Sequence, residues 1–152
     1  MNLLSGRYKT LELIDQVQAA IPPVVKAYLV GGAVRDLVLN REIHDLDFVL
    51  VSSGRVIPIA RRIANRLKAS FYPLDKERDT ARLIVHTDGG SRLVLDFAAL
   101  RDENLEQDLA ARDFTMNAIA IDLSDRGRLI DPLHGAKDIY QKVLRACSEE
   151  SF

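Results

Sequence analysis

The chain has 152 residues, with 21 Lys and Arg against 22 Asp and Glu for a formal net charge of −1. This is the size of one domain with a real core, and the even charge balance excludes any global attraction for nucleic acid. Cys147 is the only cysteine, which excludes an internal disulfide and fits the reducing cytoplasm, and no run approaches the roughly 18 apolar residues of a membrane span.

Thr10 to Ala20 reads as a helix, apolar at Leu11, Ile14 and Val17 and broken by Pro22-Pro23. Lys26 to Val30 reads as a strand, Gly31-Gly32 as a tight turn, and Ala33 to Leu39 as an amphipathic helix. A glycine pair before a helix is often only a turn. It also lets backbone approach a phosphate closely and aims free N–H groups at it. Arg35, one turn in, adds a fixed positive charge. Gly31, Gly32 and Arg35 are therefore candidate anion-binding residues.

Leu46 to Val51 reads as a buried strand. Side chains alternate along a strand, so Asp45 and Asp47 share one face while Leu46 turns into the core. Such a pair can be solvated or capping. Two carboxylates so close also repel unless a cation lies between them, and hard oxygen ligands of this kind suit Mg²⁺ held together with substrate phosphates. A phosphate cradle followed by a magnesium pair points to phosphoryl or nucleotidyl transfer.

Ser52 to Gly54 is turn material, and Val56 to Lys68 is an amphipathic helix with Ile59, Ile63 and Leu67 on one stripe. Its basic residues Arg61, Arg62, Arg66 and Lys68 read as a solvated face rather than an RNA surface. Strands follow at 71–74, 81–86 and 92–97, the last two joined through Asp88-Gly89-Gly90, which predicts a mixed sheet flanked by helices. Asp96 interrupts an apolar strand and calls for a metal, a basic partner such as Arg101, or a turn position. Asp113 or Thr115 is placed to cap a short helix through Ala118. Ile119 to Leu123 reads as a strand, Asp125-Arg126-Gly127 as a turn and Gly135 to Lys142 as a helix. The three histidines lack metal-ligand spacing, and nothing marks Cys147 as a reactive thiol.

Three ordered blocks carry a resemblance. They are GGAVRD at 31–36 with DLD at 45–47, RDFTMNA at 112–118, and DPLHGAKD at 131–138 with Leu144-Arg145 beyond. Together they resemble the class II tRNA nucleotidyltransferase (CCA-adding) and bacterial poly(A) polymerase family of the DNA polymerase β-like superfamily. The resemblance implies an α/β (α+β) nucleotidyltransferase fold that transfers AMP or CMP from ATP or CTP to the 3′-hydroxyl of tRNA or another RNA. It places Mg²⁺ on Asp45 and Asp47, with Asp96 as a third acidic residue. Gly31, Gly32, Arg35 and Arg112 fall at the triphosphate, and Asn117 where its amide reaches ribose or phosphates.

Two departures stand out: Ala111 replaces the first arginine of the family's R-R-D-F-T, and Asp102-Glu103-Asn104 is a short loop where many relatives carry a longer one. The family's base-pairing E-D-x-x-R helix would lie past Phe152. Residues 1–152 are thus expected to form a single head domain without neck, body or tail, binding triphosphates with little base preference and adding nucleotides poorly on its own. CCA addition and polyadenylation both stay open, as do the oligomeric state and two other readings. One is a triphosphate-binding module without transferase activity; the other is a nucleotidyltransferase of another branch acting on a protein or small molecule.

Overall fold

The computed structural model describes residues 3–151, so Met1, Asn2 and Phe152, at the ends of the expected domain, lie outside the described residues. The elements run α1 (Leu3–Ala20), β1 (Lys26–Val30), α2 (Gly32–Val38), β2 (Asp45–Val51), α3 (Val56–Leu67), β3 (Ser70–Asp75), β4 (Thr80–His86) and β5 (Arg92–Ala99). They continue with α4 (Leu105–Ala110), a 3-10 turn (Thr115–Asn117), β6 (Ala120–Asp122), β7 (Asp125–Ile130) and α5 (Gly135–Gln141). The strands form one seven-stranded sheet in the order β3-β4-β5-β2-β1-β6-β7. β2 and β5 are parallel and the other pairs antiparallel, which is the expected mixed sheet.

Alternation along the strands gives the sheet two unlike faces. On one, Leu29, Leu46, Phe48, Leu50, Leu83, Leu95 and Phe97 are fully buried beneath α1 and α3, and the Phe48 and Phe97 rings stack at 4.9 Å. Burying each such side chain contributes about 1.5–3 kcal/mol. Helix α3 supplies Ala60, Ile63 and Ala64, with Ile59 and Leu67 packed at the margin, in keeping with its predicted stripe. The other face carries only a small cluster, in which Val30, Val49 and Ala120 meet Leu105 and Leu109 of α4. That cover leaves part of the face open.

Three expectations need correction. Helix α1 begins at Leu3 rather than Thr10, and its buried stripe is Leu13, Ile14, Val17 and Ala20; Leu11 is 38% exposed, whereas Leu13 is 7% exposed. The helical spacing admits either leucine, and the position of the sheet selects the second. The predicted turn at Asp125–Gly127 instead lies within β7. The chain reverses two residues earlier, where Asp122 Oδ1 accepts from Ser124 N at 2.9 Å and Ser124 Oγ at 2.7 Å, an Asx turn. Among the described residues no helix is long and apolar enough to cross a membrane.

Candidate active site

The carboxylates lie on the open face. Asp47 and Asp96 are direct partners across the parallel β2–β5 pair, and Asp45 lies two residues back on the same face. Asp96 is held by Arg82 of β4, whose Nε donates to Oδ1 at 2.8 Å and NH2 to Oδ2 at 3.0 Å. Its basic partner is therefore Arg82 and not Arg101, and the pairing still leaves Asp96 beside Asp47. Burial pushes the Asp47 carboxyl above the usual aspartate range, and the Asp96 charge adds to this. Arg112 pulls the other way, Asp45 raises it further, and Arg82 opposes. Three carboxylates thus share this face with the Arg82 and Arg112 guanidiniums, and a cation between Asp45 and Asp47 would relieve their repulsion. Among the described residues no three such side chains converge as an ion cage. The donor set is a pair of hard carboxylates, of the type that holds Mg²⁺ jointly with phosphate oxygens.

The glycine turn abuts this pair. Gly31 has φ 74° and ψ −148°, a conformation that favours glycine. A Cβ there would stand 3.4 Å from Asp47 Oδ2 and 3.5 Å from Arg112 NH1, so the missing side chain marks where carboxylate and guanidinium approach. At the start of α2 the Gly31 carbonyl accepts from Val34 N at 3.1 Å, and no side chain caps the helix.

Arg35 is more occupied than a free phosphate ligand would be. Its Nε and NH2 donate to the Asp36 carboxylate at 3.0 and 3.3 Å, and NH1 donates to Asn117 Oδ1 at 2.9 Å. Asn117 Nδ2 in turn donates to Asp113 Oδ1 at 3.2 Å. Arg35 and Asn117 thus tie the first block to the second, a link between residues 82 apart in the chain.

Arg112 follows α4. Its NH2 donates to Asp108 Oδ2 at 3.4 Å, and its Nε is the one buried side-chain nitrogen or oxygen among the described residues without a hydrogen-bond partner. A cleft of about 560 Å³ opens beside it, with Asp47, Asp96 and Ala98 on its floor and Arg101, Asp108 and Arg112 among its walls. Of the predicted residues, Asp47, Asp96 and Arg112 line this cleft. Gly31 lies at its edge, where an added Cβ would touch two of them; Asp45 lies exposed alongside, and Gly32, Arg35 and Asn117 belong to the adjoining turn and its hydrogen-bonded group. Sequence reasoning missed Arg82 and Asp108 as site residues. Arg82 had the signal of a charge in an alternating strand, and Asp108 that of an acid one helical turn before an arginine.

The third block supports the second. Thr115, 2% exposed, donates from Oγ1 to Asp138 Oδ2 at 2.7 Å, so its role is structural, but through this bond rather than as a cap. Arg145 closes on the same carboxylate at 3.1 and 3.4 Å. Its bond, followed by that of Thr115, holds the Asp138 carboxyl below the usual range. A Cβ on Gly135 would lie 2.0 Å from the Thr115 carbonyl oxygen, so only glycine lets α5 pack there. Asp113 does not cap the 3-10 turn either: it accepts from Phe114 N at 2.6 Å and from Asn117, and the first of these bonds lowers its carboxyl most. Burial pushes the Cys147 thiol up, away from thiolate reactivity.

Comparison with known proteins places these blocks in context. The family described as the poly(A) polymerase head domain matches residues 27–145. A CC-adding tRNA nucleotidyltransferase of Geobacter sulfurreducens is 44% identical over 149 residues, covering 92% of this chain and 33% of that protein. An A-adding tRNA nucleotidyltransferase of Aquifex aeolicus is 38% identical over 144 residues, covering 84% of this chain and 16% of its own length. Among solved structures, a CCA-adding enzyme in complex with ATP superposes with a TM-score of 0.83 at 33% identity, covering 99% of this chain and 37% of that one. The Thermotoga maritima CCA-adding enzyme complexed with tRNA gives 0.80 at 35% identity, with coverages of 95% and 34%. The chain thus spans about a third or less of the length of these relatives.

Proposed function

Because the chain belongs to the poly(A) polymerase head-domain family, we propose that it is a nucleotidyltransferase head, acting with Mg²⁺ to move AMP or CMP from ATP or CTP to the 3′-hydroxyl of tRNA or a similar RNA. The observation that carries this reading is the register of Asp47 against Asp96 at the floor of the cleft, with the Gly31 turn beside Asp47 and Arg112 in the cleft wall. Residues 1–152 form a single head domain under this reading. A cytoplasmic site of action belongs to the same proposal.

Asp45 and Asp47 would hold Mg²⁺, which when bound lowers the pKa of the acceptor hydroxyl and neutralises the triphosphate and the departing pyrophosphate. The remaining work falls to this chain's own groups. Gly31 and Gly32 allow backbone N–H groups close to the β- and γ-phosphates. Arg112, paired with Asp108 in the cleft wall, places a positive charge toward the triphosphate. Arg35, clamped by Asp36 and Asn117, fixes the turn and keeps spare donors toward the phosphates. Positioning of acceptor and α-phosphorus supplies most of the acceleration in such a reaction.

Calorimetric titration of ATP and CTP into the chain, with and without Mg²⁺, tests the proposal. Binding should require the metal and disappear in Asp47→Asn, and the wild-type chain supplied with an RNA primer should release pyrophosphate only slowly. Metal-independent binding that survives Asp47→Asn would refute the assignment of the site. Metal-dependent binding without transfer would leave a triphosphate-binding module.

A further inference from the structure

Arg112 stands between two carboxylates, and its ion pair is with Asp108 rather than with Asp47 of the proposed cation pair. Asp108, one turn earlier and only 7% exposed, takes Arg112 NH2 on Oδ2 at 3.4 Å and Arg101 N on Oδ1 at 3.4 Å. On the opposite side Arg112 NH1 and Asp47 Oδ2 both border the space left by the missing side chain of Gly31. A guanidinium free to choose would fork onto Asp47, because a two-bond pair with a carboxylate is the strongest contact open to it. That pairing would occupy both the cation ligand and the phosphate donor. Asp108 competes from a buried position, where attraction is less screened than across the open cleft. The Arg112 Nε is buried without a hydrogen-bond partner, so among the described residues the bond to Asp108 is the one polar side-chain contact that fixes this guanidinium.

We propose that Asp108 is a positioning residue that draws the Arg112 guanidinium off Asp47, leaving Asp47 to the cation and the outward donors of Arg112 to a nucleoside triphosphate. This rests on the triphosphate reading given above. The test is a double-mutant cycle on MgATP affinity, with the wild-type chain, D108N, R112A and the double variant each measured well below its own melting temperature. D108N should weaken MgATP binding about tenfold, yet change it less than about twofold once Arg112 is gone. An equal loss in both backgrounds would overturn the inference, since Asp108 would then act through Arg101 or α4, and no loss in either would overturn it too. Should D108N not fold, D108S, which also removes the charge, takes its place in the cycle with the same expected and overturning results. Failure of the wild-type chain to bind MgATP would overturn the triphosphate reading and this inference together, whereas binding without coupling overturns the inference alone.

Discussion

The two faces of the sheet are made by the same strands, yet they obey different rules. Phe48 and Asp47 are adjacent in β2, and Phe97 and Asp96 adjacent in β5. One member of each neighbouring pair stacks beneath α3, while the other joins the carboxylates of the open face. Period two thus places stability and chemistry back to back, so a residue's cost on substitution follows from the parity of its position.

The sharpest test of that contrast is Phe97→Ala. Removing a fully buried, stacked ring should destabilise the fold by about 3–5 kcal/mol, read from denaturant melts, while the folded fraction still binds MgATP. Equal losses of stability from the neighbouring Asp96→Ala would break the contrast. On the site side, Arg35→Ala should weaken triphosphate binding by about 1.5–3 kcal/mol, as expected for charge-assisted bonds. Unchanged affinity by calorimetry would mean that Arg35 serves only Asp36 and Asn117. Next comes selectivity. The residues assigned here recognise what all nucleoside triphosphates share, so ATP, CTP, GTP and UTP should bind within about tenfold of one another, or roughly 1.4 kcal/mol. A preference beyond about a hundredfold would show that residues 1–152 also read the base.

The smallest effect concerns stability itself. The Asp47 carboxyl is raised in the folded state, so the folded chain holds this proton more tightly than the unfolded one, and its contribution to stability falls as pH rises from the ordinary aspartate range through the folded pKa. Asp47→Asn should therefore leave melting unchanged or slightly higher at neutral pH without metal, the difference closing on acidification. A clear loss of stability at neutral pH would make Asp47 a structural residue.

Much of this arrangement was legible because the strands alternate cleanly. Leu46 between Asp45 and Asp47 declared both faces at once, and Gly31-Gly32 marked the break between β1 and α2. What escaped depended on register. The partner of Asp96 is Arg82, 14 positions away on a neighbouring strand, and only strand pairing could distinguish it from Arg101. Asp108 was not singled out because an acid on a short helix reads as solvated, and its burial follows from α4 lying against the sheet. Strand β7 was missed because DRGRLI is polar, interrupted by glycine and confined to an edge.

The parallel β2–β5 pairing bears on how the chain reaches this state. Helix α3, β3 and β4 all intervene between its two strands, whereas β3, β4 and β5 follow one another as a local antiparallel meander. Loop closure makes such a distant pairing slow compared with local contacts. Asp47 and Asp96 meet at that docking step, so their repulsion is felt there and not in the hairpins that precede it. Magnesium held by Asp45 and Asp47 of β2 would therefore also offset the repulsion that Asp96 brings when β5 docks beside them.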